Sequence, residues 1–357
     1  MRLFYRQRPL IPVENGEDGF ALVLTLVVIV VLSVTTELMT RWVSSALDLA
    51  FANRQEVDAR RQMDEAAAVA LYFLGTRPLS LRGVETSTTR QPATSAPERI
   101  APIDPTKNYV RLDDHPYRLD DTVLRFQDAR GLINLNLASD YDLYEVLGLF
   151  GVAAQDRAPL IAKLQDYIEA SPFRRLNGAK TPEYGAAGRE PPTNKPLRTP
   201  WEVRRILDWD KIDRIAREDS GWPLLTVTTD NAGFNVNTAP RALLSLMPGM
   251  TSDAADNVVR WRDQRPITGA TEFEGLTGIP MPRGPSRFLP FPADQFVITL
   301  SATKPSLERR IAVRLTPHSG THPWSIAYDI ETPRAVRGDG DAKPDDLPLP
   351  QLLSPAP

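Results

Sequence analysis

A chain of 357 residues, 42% of them hydrophobic, is long enough for one large domain or two ordinary ones and apolar enough to bury a core. Its formal net charge of −3 offers no global attraction to polyanions. It has no cysteine, which excludes disulfide frameworks, thiolate zinc sites and thiol nucleophiles. Of its three histidines, His318 and His322 lie in PHSGTHP, a stretch too rich in Pro and Gly to form the helix on which an H-x-x-x-H spacing would converge.

The first element is a membrane-length helix. From Phe20 to Val34 the sequence is apolar except for Thr25 and Ser33, and it continues through Thr35, Thr36, Glu37, Leu38 and Met39 to Arg41 and Trp42. About 20 residues at ~1.5 Å each cover the ~30 Å hydrocarbon slab. A core helix of a soluble protein rarely carries Val, Leu and Ile on every face. Ser44-Ser45-Ala46 has the small-x-small form of a signal-peptidase site, but it lies well past the apolar run. Arg2, Arg6 and Arg8 precede the run and belong on the cytoplasmic side, which places everything after Trp42 outside.

The helix is expected to continue beyond the membrane. Ala46, Leu49, Ala50, Asn53, Val57, Arg60, Asp64, Ala67, Leu71 and Leu74 alternate apolar and polar residues at helical spacing, with no proline before Pro78. Gly75 is read as its C-terminal stop. One helix from about Phe20 to Leu74 would be ~80 Å long.

A Pro-, Ser- and Thr-rich connection follows through about Pro105, including TSTTRQPATSAPE, and reads as a loop. Thr122 to Gln127 sets Leu124 and Phe126 against Val123, Arg125 and Gln127, the period-two pattern of a half-buried strand. Next comes an internal echo: GLINLNLASDYDLYEVLGLFGV from Gly131 and GFNVNTAPRALLSLMPGMT from Gly233. Each has an N-x-N, a helix start, leucine-rich turns and a glycine turn, at Gly151 or Gly249. Asn134, Asn136, Asn235 and Asn237 suit turns and caps, and two helical hairpins are implied. A Gly-, Pro-, Asn- and Lys-rich loop from Arg174 to Pro200 joins them, and a short helix from Trp201 to Trp209 is capped by Thr199. QFVITLSATKPSLERRIAVRLT reads as a hairpin around Lys304-Pro305-Ser306, able to pair with the first strand. The polar, proline-laden remainder is expected to be disordered.

A polar leader ending in Gly19, an aromatic Phe20, an apolar run and a continuing amphipathic helix resemble the N-terminus of a type IV pilin or type II secretion pseudopilin. DARGLINLN, Tyr184 ahead of PPTNKPLRTPWEVRRIL, FNVNTAPRALLSLMPGM and FVITLSATKPSLERRIAVRL follow in the order of one branch of that family, the minor pseudopilin general secretion pathway protein K. The resemblance implies that a prepilin peptidase cuts after Gly19 and methylates Phe20, although Glu17 and Asp18 stand where the family carries basic residues. Leu24 occupies the fifth mature position, where most members have a glutamate that pairs in apolar surroundings with the amine of the preceding subunit. A subunit that goes first has no such amine to meet, so Leu24 implies the filament tip. An oversized head fits that end as well.

The implied fold is α+β: a long N-terminal transmembrane and amphipathic helix, a pseudopilin body with a small antiparallel sheet, and an inserted all-α domain of two helix-hairpin-helix-like units. Its parts are a leader peptide (1–19), a transmembrane segment (20–42), the amphipathic helix with the first part of the body (43–136), the inserted helical domain (137–290), the C-terminal β-hairpin (291–328) and a disordered tail (329–357). Ala46, Leu49, Ala50, Val57 and Leu71 are the helix residues expected to pack against partners. The implied partners are other minor pseudopilins, the major pseudopilin, the inner-membrane secretion platform and the peptidase. The implied location is the bacterial inner membrane, single-pass, with the C-terminal domain in the periplasm. No organic cofactor is expected. Calcium on hard oxygen ligands is implied for relatives; the acids this chain offers there are Asp166 and Glu169, ahead of Ala170-Ser171-Pro172, and a solvated helix face is the other reading of them.

The hairpins also resemble the helix-hairpin-helix module of DNA-binding proteins, which makes a membrane-anchored, competence-type DNA receptor the alternative. That module brackets an apolar residue with two glycines, whereas PGMT and FGVA each have one, and Arg260, Arg262 and Arg265 are surrounded by Asp253, Asp256 and Asp263. Nucleic acid is therefore not the expected partner. No nucleophile elbow or phosphate loop occurs, and the adjacent pairs Asp113-Asp114 and Asp120-Asp121 would point to opposite faces of a strand, so no enzyme is expected.

Overall fold

The computed structural model describes residues 17–86, 109–216, 222–228, 233–280, 289–302, 307–317, 322–333 and 343–348. The chain divides into a unit Met1–Val57 and a unit Asp58–Pro357. Helix α1, Glu17–Thr76, supplies the described part of the first and opens the second. The protein is α+β, as its sequence pattern implies.

Gly75 does not stop α1, which runs on to Thr76. Arg77 precedes Pro78, and a residue before proline is driven out of the helical region, so the helix ends there. Gly75 instead makes room: a Cβ at this position would lie 2.9 Å from Cε3 of the Trp324 ring. Gly75→Val is expected to lower stability by about 1–3 kcal/mol through overpacking, measurable by urea unfolding.

Within the second unit, the buried stripe of α1 is Ala59, Met63, Ala66, Ala67, Ala70, Phe73 and Leu74. Four alanines in that stripe let the backbone approach the sheet closely, and Met63 and Phe73 fill the gaps at about 1.5–3 kcal/mol each. Arg60 and Asp64, polar members of the helical alternation, are on the rim of this stripe. Arg60 Nε lies 3.2 Å from Glu331 Oε2, and Asp64 pairs with Arg309.

The segment read as a loop after α1 begins instead with strands. β1 (Leu79–Ser80), β2 (Gly83–Glu85) and β3 (Tyr109–Val110) form a small antiparallel sheet; residues 87–108 lie outside the described residues. β4 (Asp113–Leu119) and β5 (Thr122–Asp128) then open the main sheet. β6 (Ile133–Asn134) leads into helices α2 (Asp140–Leu149), α3 (Ala154–Ile168), α4 (Thr181–Ala186) and α5 (Asp213–Ala216). Strand β7 (Leu225–Thr226) pairs with β6, and α6 (Arg241–Leu244), α7 (Ser252–Gln264) and α8 (Ala270–Thr277) follow. β8 (Gln295–Ala302), β9 (Leu307–Leu315), β10 (Trp324–Pro333) and β11 (Asp345–Asp346) complete the six-stranded order β10-β9-β8-β5-β4-β11, antiparallel except for β11 on β4.

The hairpin β8–β9 and its pairing with β5 are as the alternation predicts. Two expectations fail. The sequence pattern predicts a disordered tail from residue 329, yet β10 pairs along the full length of β9 to Pro333, and Leu347 beside β11 is buried. Proline is tolerated there because β10 is an edge strand, where the missing N–H breaks no ladder. Residues 334–342 and 349–357 lie outside the described residues. Nor is β5 half-buried: Leu124 and Phe126 face α1, while Arg125 and Gln127 are buried on the opposite side, where Gln127 Nε2 donates to Thr238 O at 2.9 Å.

That second face of the sheet is polar yet covered. Thr299, Ser301, Glu308 and Arg310 are buried on it, and Tyr328 and Ala312 join the core of the helical region. Trp201 stacks on Trp222 with ring centroids 5.2 Å apart and meets Tyr328 edge-on, while the Arg310 guanidinium sits over the Trp201 ring at 5.4 Å. The sheet is thus a middle layer, with α1 on one side and helices on the other. Trp201 lies in a 3₁₀ helix, Pro200–Arg205, and Thr199 does not cap it through its side chain.

The sequence echo is a structural repeat. In both copies the first asparagine closes an Asx turn: Asn136 N donates to Asn134 Oδ1 at 3.1 Å, and Asn237 N to Asn235 Oδ1 at 3.0 Å. In both, the second asparagine clasps the main chain of a distant residue through both ends of its amide. Asn136 donates to Leu197 O at 3.0 Å and accepts from Leu197 N at 2.9 Å; Asn237 does the same with Ile267 at 2.9 and 2.8 Å. Gly151 and Gly249 take φ of 85° and 78°, the left-handed conformation a glycine turn needs. Ser139, not an asparagine, caps α2, through a capping box with Asp142.

Candidate membrane and assembly surface

Among the described residues one helix is long and apolar enough to cross a membrane, α1 from Phe20 onward. Phe20, Leu24 and the Val, Leu and Ile residues through Val34 are exposed all round. The polar side chains in this run satisfy themselves locally. Thr25 Oγ1 donates to Leu22 O at 2.9 Å, Ser33 Oγ to Ile29 O at 2.8 Å, Thr36 Oγ1 to Leu32 O at 2.7 Å and Thr40 Oγ1 to Thr36 O at 2.8 Å. In hydrocarbon, where no water can take these protons, such back-bonding removes the cost of the hydroxyls. Glu37 and Arg41 pair at 2.6 Å one turn apart, so the end of the run carries no net charge beside Trp42.

Beyond Trp42 the residues expected to meet partners divide into two groups. Ala46, Leu49, Ala50 and Val57 are exposed, at the i, i+3, i+4 and i+11 positions that share one helix face. Leu71 is half-buried against the protein's own core. Gly19 falls in the first turn of α1. These positions are joined by one helix rather than gathered into a pocket. The hydroxyl back-bonds were not foreseen, although Thr and Ser within an apolar run are their signal.

Elsewhere a cleft of about 250 Å³ is lined by Arg82, Tyr109, Arg111, Asp113, Arg262 and Asp263 among others. Both of its carboxylates are engaged by Arg111, which pairs with Asp113 and, at 2.6 Å, with Asp263. The basic residues weighed for DNA contact are likewise engaged. Arg262 is buried and donates to Val236 O and Ala239 O at 2.9 and 2.6 Å, while Arg265 lies 3.9 Å over the Trp261 ring. Tyr184, singled out in the sequence, is wholly buried; its hydroxyl accepts from Leu207 N at 3.1 Å, and burial pushes its phenol up to about 12. Among the described residues no group of three or more His, Asp or Glu side chains is arranged to hold a metal.

No family model matches the sequence, and no curated protein matches it. Among solved structures the chain is similar to one from the GspK-GspI-GspJ complex of the enterotoxigenic Escherichia coli type 2 secretion system. The two share 16% identity and a TM-score of 0.49 over 78% of this chain and 98% of that one.

Proposed function

We propose that this chain is a minor pseudopilin of a type II secretion system, held in the inner membrane by the first part of α1 with its body in the periplasm. The observation that supports this most directly is α1 itself: a single helix that carries Gly19-Phe20 in its first turn, is apolar and exposed over a bilayer's length, and ends as the packed stripe on an antiparallel sheet. Cleavage after Gly19 would leave the amine of Phe20 as the new N-terminus of the helix. Leu24 then brings no carboxylate into the apolar layer, so this subunit cannot neutralise the amine of a predecessor. It is placed at the leading end, where it starts a short filament whose growth drives folded proteins toward the outer membrane. Two other minor pseudopilins are proposed to pack on Ala46, Leu49, Ala50 and Val57, with the major pseudopilin beneath and the inner-membrane platform at the base.

The mass of the N-terminal peptide from membranes tests the class. A mature chain beginning at methylated Phe20 is expected; one beginning at Leu47, after the small-x-small site, overturns the reading. Position is tested separately by labelling a tagged copy on isolated filaments, where label is expected at one end and even labelling along the shaft defeats the assignment.

A further inference from the structure

The calcium implied near Asp166 and Glu169 can be tested against the residues present, and they do not fit it. Asp166 is not on a solvated helix face: it is fully buried, and both acids turn toward Arg175. Asp166 accepts from Arg175 N at 3.1 Å and from Arg175 Nη1 at 3.0 Å, and Glu169 pairs with the same guanidinium. The free oxygens of the region are others. At the C-terminus of α3 the main-chain carbonyls run out of intrahelical partners, and two of this group, Asp166 O and Glu169 O, converge with the side-chain oxygen of Asn194. At their centre stands the ammonium of Lys180, 2.6, 2.8 and 3.1 Å from the three.

We propose that Lys180 is a built-in cation that holds the chain around residues 166–194 together in place of a bound metal ion. Three N–H groups meet three acceptors, which uses the whole donor capacity of the ammonium. Calcium takes six to eight oxygens, and the two carboxylates that could make up that number are already bound to Arg175. The positive charge also sits at a helix C-terminus, where the aligned peptide dipoles favour it. Two cations, Lys180 and Arg175, balance two anions, Asp166 and Glu169, so the cluster is neutral without an added ion. Lys180 is only 6% exposed, and Gly178 closes the loop so tightly that a Cβ would lie 1.9 Å from Asp166 Oδ2. The loop so fastened presents Phe173 and Leu176, 82% and 88% exposed. Their display is therefore independent of divalent ions.

The test uses the full chain in detergent micelles. Its melting temperature is expected to be the same in excess EDTA and in millimolar calcium, whereas a site saturated a hundredfold above its Kd would raise it by about 5 °C or more. A calcium-dependent rise of that size overturns the proposal. In native protein, amine acetylation followed by peptide mapping is expected to spare Lys180 while labelling the exposed Lys195; equal labelling overturns it. Lys180→Met, which keeps the shape and removes the charge, is expected to melt about 5 °C or more below the parent and to gain nothing from calcium. An unchanged melting temperature overturns the proposal. Should that variant fail to fold, the two measurements on the unaltered chain still decide.

Discussion

Asp128→Ala is expected to lower the stability of the body by about 3–5 kcal/mol, the largest loss for any single truncation considered. Asp128 is fully buried at the end of β5, and its carboxylate receives four hydrogen bonds. Arg130 N and Ala293 N donate to Oδ1 at 3.1 and 2.9 Å; Asn235 Nδ2 and Thr238 Oγ1 donate to Oδ2, each at 2.9 Å. One side chain thus ties the middle of the sheet to the second asparagine repeat and to the approach to β8. Removing it takes the acceptor from four donors, three of them buried. Burial pushes the Asp128 carboxyl above its ordinary value, against the pull of those donors. With a folded pKa above the unfolded one, the folded state holds the proton more tightly. The stabilisation from this group is therefore complete below the unfolded value and is lost as pH rises through the folded one. Urea unfolding across that interval is expected to show a decline with pH that is absent in Asp128→Asn. The asparagine carries no titrating charge, although its amide would face the amide of Asn235 and cost stability at every pH.

Gly19→Val is expected to abolish processing outright, leaving a chain heavier by the whole leader and a secretion system that no longer exports its cargo. A peptidase acting on this bond must bring its own groups against the backbone, and glycine is the residue that lets a backbone be approached that closely. The bond also lies in the first turn of α1, where the N–H groups lack intrahelical partners and opening is least costly. Intact mass of membrane-extracted protein, read beside export of a reporter cargo, checks both halves. A variant that is cut normally removes Gly19 from its assigned role.

The parts legible in the sequence are those with local, repetitive signals. An unbroken run of Val, Leu and Ile has few structural meanings, so the first half of α1 is evident. The alternation in β8 and β9 leaves little choice of partner, and both glycine turns sit between helical runs as their spacing implies. What stayed hidden depends on partners far along the chain. Trp324, Ile326, Tyr328 and Ile330 alternate like a strand, but the polar residues and Pro333 around them resemble a tail until β9 is there to receive them. Gly75 reads as a stop because Trp324, which needs its missing side chain, is remote in sequence. Asp128, Asp166 and Lys180 look like surface charges, since composition tells nothing about burial when each one's partners lie on separate segments. For the same reason spacing alone does not separate the exposed positions of α1 from those that meet the protein's own core. Leu71 shares the spacing of the exposed positions but meets the protein's own sheet.

Asn136 and Asn237 each grip the main-chain N–H and C=O of one residue rather than a side chain, so the residues at 197 and 267 enter the clasp only through atoms that every amino acid other than proline possesses. Each clasp therefore tolerates exchange of one apolar side chain for another at 197 and 267, where the side chains are buried in separate cores, and the two halves can differ in spelling without losing their common architecture.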